Sequence, residues 1–201
     1  MTRIILVRHG QTDWNRVERF RGRVDIPLNK TGLTQARNTS KFIRLKWKPS
    51  IIYSSPLKRA MQTAQYIAEE SELVVNPVDG LIDIDYGKWQ GLSPEEVRLN
   101  WPEMLSNWYK HPAIVQIPDG ETLKETQCRG MNLVNDLCKV HIDDNIVLVS
   151  HTVVNRLIIL DILGLGIDHF WNIAQEPCAI NVIEKRNDAY ILCSLNITFH
   201  L

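Results

Sequence analysis

Four side chains of this sequence could act together on one anionic group, although they lie far apart along the chain. Arg8 and His9 stand side by side at the end of one short apolar run, Arg59 follows a second run, and His151 follows a third. Arginine forks match the oxygen atoms of a phosphoryl group. A histidine can itself attack phosphorus and form a phosphohistidine. The chemistry that these residue types favour is therefore phosphoryl transfer, with His9 as the nucleophile.

Three apolar runs must position these side chains, and each is followed by a segment with helical spacing. The runs at 4–7, 50–54 and 145–149 are typical of strands that are buried on both faces. In open α/β sheets, the carboxyl ends of the strands gather the ligand-binding loops and the N-termini of the helices. We therefore expect the two histidines and the two arginines to meet at one edge of the sheet.

Caps and periodicity predict the remaining elements. Thr31 is expected to cap the first helix, and Ser55 the second, with Pro56 at its first helical position. The later segments are, in order, a helix over 120–141, a helix over 152–163, and two final strands at 179–184 and 189–195. This order predicts a three-layer α/β sandwich around a mostly parallel central sheet flanked by helices.

The alternation of strands and helices stops after residue 77. The segment 78–118 is rich in proline and tryptophan, and we expect it to form a lobe inserted over the active site, within a single domain spanning 1–201. Its tryptophans could be pocket walls, core residues or part of an interface between subunits: Trp89, Trp101 and Trp108.

Composition argues against several classes of partner. The 201 residues include 23 Lys plus Arg and 23 Asp plus Glu, so no global charge draws the chain to nucleic acid or to a membrane. The apolar run near the N-terminus is too short for a signal peptide core, and the expected location is the cytoplasm. The four cysteines form no CxxC pair, so neither a zinc site nor a redox motif is expected.

Five blocks of the sequence occur in a familiar order. LVRHGQTDWN, SSPLKRAMQTA, LIDIDYGKWQG, PDGETL and VSHTVVNR resemble the signature blocks of the histidine phosphatase superfamily, the phosphoglycerate mutase-like proteins. The resemblance implies a phosphatase that needs no metal and no cofactor and acts on a small phosphorylated metabolite. It assigns His9 as the nucleophile, places Arg8, Arg59 and His151 in the phosphate pocket, and makes Asn15 a phosphate contact.

The general acid departs from the family pattern. The family usually has a glutamate where this sequence has Asp83, and aspartate is shorter by one methylene, a loss of reach on the order of 1.5 Å that matters for proton transfer. Asp85 and Glu121 are the alternatives. The acid would need a raised pKa to be protonated near neutral pH, which the apolar neighbours Tyr86 and Trp89 favour. Tyr86 is accordingly expected to line the substrate site.

A basic loop shows a second departure. Four arginines lie within RVERFRGRVD, and Arg16 and Arg19 could simply be solvated. Arg21 stands before Gly22, at a position where the family commonly has glutamine. Both residues are expected to contact substrate, and Arg21 could bind a second negative charge.

The C-terminal SLNITFHL, together with SHTVVNR and the later HFW, resembles the metal-independent phosphoserine phosphatases within the superfamily, whose tail folds back to the substrate. This narrower resemblance places His200 and Leu201 near an amino acid moiety of the substrate, with phosphoserine as one candidate. Several alternatives stay open: α-ribazole phosphatase or phosphoglycerate mutase activity, or a pseudoenzyme that binds phosphate without catalysis. A homodimer is also left open.

Overall fold

The computed structural model describes residues 1–15 and 17–201 and is built around one mixed β-sheet. The strands of the sheet are β1 (Thr2–Arg8), β2 (Ile51–Ser54), β3 (Val75–Pro77), β4 (Asn145–Ser150), β5 (Ile180–Arg186) and β6 (Ala189–Ile197). They lie in the order β3-β2-β4-β1-β5-β6. The first four strands of that order pair in parallel, β5 is antiparallel to β1, and β6 is antiparallel to β5. The prediction of a mostly parallel sheet is confirmed.

Helices cover both faces of the sheet, which confirms the three-layer sandwich. They are α1 (Lys30–Trp47), α2 (Lys58–Ser71), α3 (Pro94–Asn100), α4 (Pro102–Lys110), α5 (Leu123–Val140) and α6 (Thr152–Ile162). Helices α1 and α2 pack on one face, and α5 and α6 pack on the other. No helix in the described part of the chain combines the length and apolar character needed to cross a membrane.

The central strand β1 explains why the apolar runs are continuous. Ile4 and Leu6 point to the layer of α5 and α6, whereas Ile5 and Val7 point to the layer of α1 and α2. All four side chains are fully buried. Because both faces of the strand are covered, no position in the run can be polar without a partner. After this run, the next polar side chains are those of Arg8 and His9, at the carboxyl end of β1.

The start of α1 differs from the prediction that Thr31 caps it. Helix α1 begins at Lys30, and the N-cap is Asn29, whose side-chain oxygen accepts a hydrogen bond from the Gly32 amide at 2.9 Å. Thr31 lies inside the first turn and is exposed. The helix starts earlier than expected because Asn29 satisfies a free amide of the first turn as well as threonine would.

The start of α2 also differs from the prediction. The helix begins at Lys58 with Leu57 as its N-cap, so Ser55 is not the cap and Pro56 is not the first helical residue. The Ser55 hydroxyl instead lies 2.8 Å from Nε2 of His151. Residues 55–57 therefore precede the helix, and the Ser55 hydroxyl contacts the imidazole of His151 instead of capping α2.

The segment 78–118 packs on the face of α5 and α6 and carries α3 and α4. Of its tryptophans, Trp89 is fully buried and Trp108 is 2 % exposed. Trp89, Trp101 and Trp108 all belong to or pack against the core on this face of the sheet. Trp108 also lines the cavity beside the histidines. The segment thus forms one wall of the site, as the sequence predicts.

Two glycines allow the loop after β1 to pack directly on the first turn of α1. A Cβ atom on Gly32 would lie 2.1 Å from the carbonyl oxygen of Gln11, and a Cβ on Gly10 would lie 2.7 Å from the carbonyl oxygen of Gly32. Neither backbone atom can move aside like a flexible side chain. This close approach fixes the backbone that immediately follows His9.

Replacing Gly32 with alanine is expected to destabilise the fold by about 1–3 kcal/mol, the usual cost of overpacking. In an unhindered helix the same replacement stabilises by about 1 kcal/mol. The sign of the change in unfolding free energy therefore shows whether the site is closely packed. Urea denaturation of Gly32→Ala measures it. Gly166→Ala is the matched control, because a Cβ at Gly166 has no neighbour within 4 Å among the described residues. A Gly32→Ala protein as stable as the wild type would contradict the close packing.

Candidate active site

The two predicted histidines lie side by side at the carboxyl ends of β1 and β4. Their ring centroids are 5.1 Å apart, and the rings are inclined by 58°. His9 follows β1 directly, and its amide donates to the carbonyl of Ser150 at 2.9 Å, which continues the pairing of the two strands. Both rings can therefore contact one bound phosphate group.

The tautomer of His9 is set by its backbone neighbour. Nδ1 lies 2.7 Å from the carbonyl oxygen of Gly10. A carbonyl oxygen only accepts, so Nδ1 carries the proton and, in the neutral ring, Nε2 carries the lone pair. Burial, reinforced by the positive charges of Arg59 and Arg8, holds the pKa of His9 well below its ordinary value. His9 is thus a neutral imidazole with a nucleophilic Nε2 at physiological pH.

Arg59 is fully buried, and two backbone carbonyl groups of one loop hold its guanidinium. It donates to the carbonyl of Gly22 at 2.7 Å and to the carbonyl of Val24 at 2.8 Å. Gly22 has a φ of +48°, and a Cβ there would lie 3.0 Å from the Ile84 carbonyl oxygen, so the loop needs glycine at this position. Burial lowers the pKa of Arg59, with Asp83 partly opposing this effect. The cation is firmly positioned at the site.

Arg8 supplies a second buried cation, with 6 % of its surface exposed. It donates to the carbonyl of Gln175, and its Nε atom has no hydrogen-bond partner among residues 1–15 and 17–201. Burial and then the charge of Arg21 lower the pKa of Arg8. A buried guanidinium with an unsatisfied donor is costly unless an anion completes it. Together, Arg8 and Arg59 favour a bound oxyanion.

His151 is held from one side only. Its Nε2 lies 2.8 Å from the Ser55 hydroxyl, whereas Nδ1 has no hydrogen-bond partner in the described part of the chain. Nδ1 lies 3.6 Å from Oδ2 of Asp83. Burial, followed by the charges of Arg59 and His9, holds the pKa of His151 well below its usual value. One ring nitrogen is therefore available to a ligand beside His9.

Asp83 reaches this cluster despite its short side chain. One of its oxygens lies 3.1 Å from Nη2 of Arg59, and the other accepts the Ile84 amide at 3.0 Å. Burial raises the pKa of Asp83, although the charges of Arg59 and Arg21 act in the opposite direction. A raised pKa is the property that a proton donor needs near neutral pH.

The two alternative carboxylates are engaged elsewhere. Glu121 forms ion pairs with Arg129 at 3.0 Å and with Arg23 at 3.1 Å. Burial alone would raise the pKa of Glu121, but the hydrogen bond and charge of Arg129 outweigh it, so the net pKa is lowered. Asp85 accepts from the Gly87 amide at 2.9 Å and pairs with Arg23. Neither carboxylate lines the cavity beside the histidines, whereas Asp83 does.

A cavity of about 170 Å³ lies beside these side chains, and Arg8, Arg59 and His151 are not among its lining residues. Among the residues expected from sequence, His9, Arg21, Asp83 and Tyr86 line it. Burial raises the pKa of the Tyr86 hydroxyl, so this group stays neutral. The sequence did not single out several further lining residues from α4, α6 and the segment after α6: Tyr109, Thr152, Val153, Arg156, Phe170 and Trp171.

Other predicted site residues are placed differently. The Asn15 side chain accepts hydrogen bonds from the amide and the hydroxyl of Thr12, at 2.8 and 2.9 Å. The His200 ring stacks on Phe42 and lies 2.9 Å from the Thr39 hydroxyl, so the structure does not bring it to the cavity. Arg16 lies outside the described residues.

The basic loop is only partly solvated. Arg19 lies at the rim of the cavity and pairs with Glu96 at 3.4 Å. Arg21 is partly buried and lines the cavity. Its charge lowers the pKa of His9 and of His151 and opposes the raised pKa of Asp83. Arg21 is therefore close enough for its charge to act on both histidines and on Asp83.

Comparisons with known proteins agree with this geometry. Residues 4–198 match the model of the histidine phosphatase superfamily (branch 1). Phosphoserine phosphatase 1 of Hydrogenobacter thermophilus is 35 % identical over all of this chain and 95 % of its own length. The metal-independent phosphoserine phosphatase of Arabidopsis thaliana is 31 % identical over all of this chain and 84 % of its own.

A solved structure is similar over the whole length of both chains. It is a mutant phosphoserine phosphatase from Entamoeba histolytica in complex with phosphoserine, with a TM-score of 0.87 and 32 % sequence identity. The match extends over the sheet, the covering helices and the segment that walls the cavity. With its paired imidazoles, its buried arginines and these relatives, the chain belongs to the histidine phosphatase superfamily.

Proposed function

We propose that the chain hydrolyses phosphomonoesters of small metabolites through a phosphohistidine at His9, without a metal ion, and that phosphoserine is a substrate. The observation that carries the proposal is the hydrogen bond of 2.7 Å from Nδ1 of His9 to the Gly10 carbonyl. It leaves the Nε2 lone pair available beside two buried arginines. These groups supply a nucleophile and the positive charge that phosphoryl transfer requires.

The first step transfers the phosphoryl group to His9. Nε2 forms a bond to phosphorus as the bond from phosphorus to the ester oxygen breaks. Arg8, Arg59 and His151 bind the non-bridging oxygens, on which charge is spread in the transition state. The carboxyl group of Asp83 donates its proton to the departing oxygen, so that the product leaves as a neutral alcohol.

The second step hydrolyses the phosphoenzyme. The Asp83 carboxylate accepts a proton from a water molecule as the water oxygen attacks phosphorus. The bond from phosphorus to Nε2 breaks, the ring regains its lone pair, and inorganic phosphate leaves. Asp83 is then protonated again, and the site is ready for the next substrate.

The similar proteins support phosphoserine as the substrate. Relatives from a bacterium and a plant carry the name phosphoserine phosphatase, and the Entamoeba histolytica protein has been solved with phosphoserine and with 3-phosphoglyceric acid. The cavity of about 170 Å³ suits a metabolite of a few carbon atoms. Its lining combines charged and aromatic side chains.

A substrate panel in the presence of EDTA tests the proposal. We expect turnover of phosphoserine that survives chelation, because the guanidinium groups carry the charge that a metal ion would otherwise supply. Parallel reactions contain 3-phosphoglycerate, α-ribazole phosphate and p-nitrophenyl phosphate. Binding of inorganic phosphate without turnover of any ester would show a pseudoenzyme, and loss of all turnover on chelation would contradict the metal-independent mechanism.

A further inference from the structure

Arg156 lines the cavity and has no part in the phosphoryl transfer described above. Arg156 lies on α6, five residues after His151, which corresponds to about 7.5 Å along the helix axis. Its Nε atom donates to the carbonyl of Ile173 at 2.6 Å. The guanidinium carbon lies 4.9 Å from the centre of the Phe170 ring and 5.1 Å from that of Trp171. The guanidinium is therefore oriented before any ligand binds.

The charge of Arg156 has no counter-ion in direct contact. No carboxylate of residues 1–15 and 17–201 lies within ion-pair distance of it, and its terminal amino groups donate to none of these residues. Burial lowers its pKa, with Tyr86 and Glu176 acting in the opposite direction. A partly buried arginine in a cavity with free, forked donors matches a planar carboxylate.

Arg156 and Arg21 line the cavity from different elements, Arg156 from α6 and Arg21 from the loop before α1. The charge of Arg21 lowers the pKa of His9 and of His151, whereas the charge of Arg156 acts on Arg8 and Tyr86. Arg156 lies against the aromatic wall, further along α6. A molecule with its phosphoryl group at His9 would therefore present its other end to Arg156. The small cavity keeps that end within a few carbon atoms of the ester.

We propose that Arg156 binds a carboxylate group of the substrate and makes the site selective for short phosphomonoesters that carry one. This inference rests on the proposed function, since it assumes that the phosphoryl group binds at His9. It assigns the second anion contact to Arg156, where the sequence suggested Arg21. It also gives a role to a guanidinium that has no ion-pair partner among the described residues and is stacked on the rings of Phe170 and Trp171.

The test compares O-phosphoserine with O-phosphoethanolamine, which has the same ester and ammonium groups but no carboxylate. The ratio of the two kcat/KM values is expected to fall about 10- to 100-fold in Arg156→Gln, as for loss of a charge-assisted hydrogen bond. Arg156→Lys should give an intermediate ratio, because it keeps the charge and loses the fork. The ratio is independent of the fraction of protein that folds, since both substrates report on the same active molecules.

Arg37→Gln is the matched control. Arg37 is also stacked over an aromatic ring, that of Tyr66 at 5.7 Å, but it lies on α1 away from the cavity. Its substitution should leave the ratio unchanged. A wild-type ratio in Arg156→Gln, or an equal loss on both substrates, would overturn the inference.

A binding measurement separates this inference from the proposed function. In the His9→Ala background, calorimetry compares 3-phosphoglycerate with glycerol 3-phosphate, which lacks the carboxylate. The inference predicts tighter binding of 3-phosphoglycerate and loss of that preference when Arg156→Gln is added. If the wild type hydrolyses no ester but this preference is present, the proposed function fails and the carboxylate site stands. If turnover is present but the preference is absent, the carboxylate site fails alone.

Discussion

Replacing His9 with alanine is expected to lower kcat/KM for phosphoserine by at least about 10⁴-fold, because no phosphoenzyme can form without Nε2. The other groups of the cavity would still bind phosphate, so the loss should appear mainly in kcat. Steady-state assays on phosphoserine measure the loss, and calorimetric titration with inorganic phosphate measures the remaining affinity. The expected result is a folded protein that binds phosphate and turns over almost no ester.

A histidine outside the cavity provides the control for this substitution. His111 is exposed, its backbone amide donates to the carbonyl of Asn107, and it is not among the residues that line the cavity. His111→Ala should retain the activity of the wild type. If His9→Ala retained most of its activity as well, the nucleophile would have to be another group, and the assignment of His9 would be wrong.

Replacing Asp83 with asparagine is expected to have the second largest effect. Without a proton donor, kcat/KM for phosphoserine should fall by about 10² to 10⁴-fold, the usual contribution of general acid catalysis. The loss with p-nitrophenyl phosphate should be much smaller, because nitrophenolate leaves readily without a proton. The measurement is the pair of kcat/KM values for Asp83→Asn and the wild type.

Asp83→Asn removes both a proton donor and an ion pair with Arg59, and the two effects must be distinguished. Loss of the pair would weaken phosphate binding for every ester, so equal losses on both substrates would count against Asp83 as the acid. Asp85→Asn tests the alternative carboxylate, and it should not show the dependence on the leaving group. Asp83→Glu keeps a carboxyl group at this position. It should therefore retain more activity on phosphoserine than Asp83→Asn.

The convergence of the site could be predicted from sequence because it depends on topology. Arg8 ends β1 and His9 follows it, whereas His151 follows β4. Because these strands pair in parallel, the positions of all three residues at one edge follow from the sheet itself. Arg59 follows β2, which pairs with β4. Asp83 was harder to place, since its reach depends on how closely its backbone approaches the sheet. The structure provides that approach, with its carboxylate 3.1 Å from Arg59.

Features that depend on side-chain competition could not be predicted. Asn29 and Thr31 are both good capping residues, and the spacing of apolar residues does not distinguish helices that start at either. Ser55 has the type and position of a cap, but its hydroxyl lies at His151. The stacking of His200 on Phe42 depends on tertiary contacts of the tail that no local pattern encodes.

Arg156 shows a signal that sequence reasoning overlooked. It stands within TVVNRLIILDIL, where eight of the other eleven residues are apolar, and a charge in a buried helix is costly unless a ligand or partner compensates it. The rings of Phe170 and Trp171 that orient it come from the later HFW, which the resemblance to phosphoserine phosphatases includes without assigning it a role. The sequence shows that Arg156 is charged, but it does not show that the side chain lines the cavity.

The phosphorylated enzyme itself provides the most direct test of the account. Rapid mixing of the protein with radiolabelled phosphoserine, followed by an alkaline quench and peptide mass spectrometry, should find phosphate attached to His9 through a bond that is stable in alkali and labile in acid. The label should be absent from His9→Ala and should disappear when unlabelled substrate is added. Label on another residue, or turnover at the full rate with no label on His9 at any time, would contradict the account.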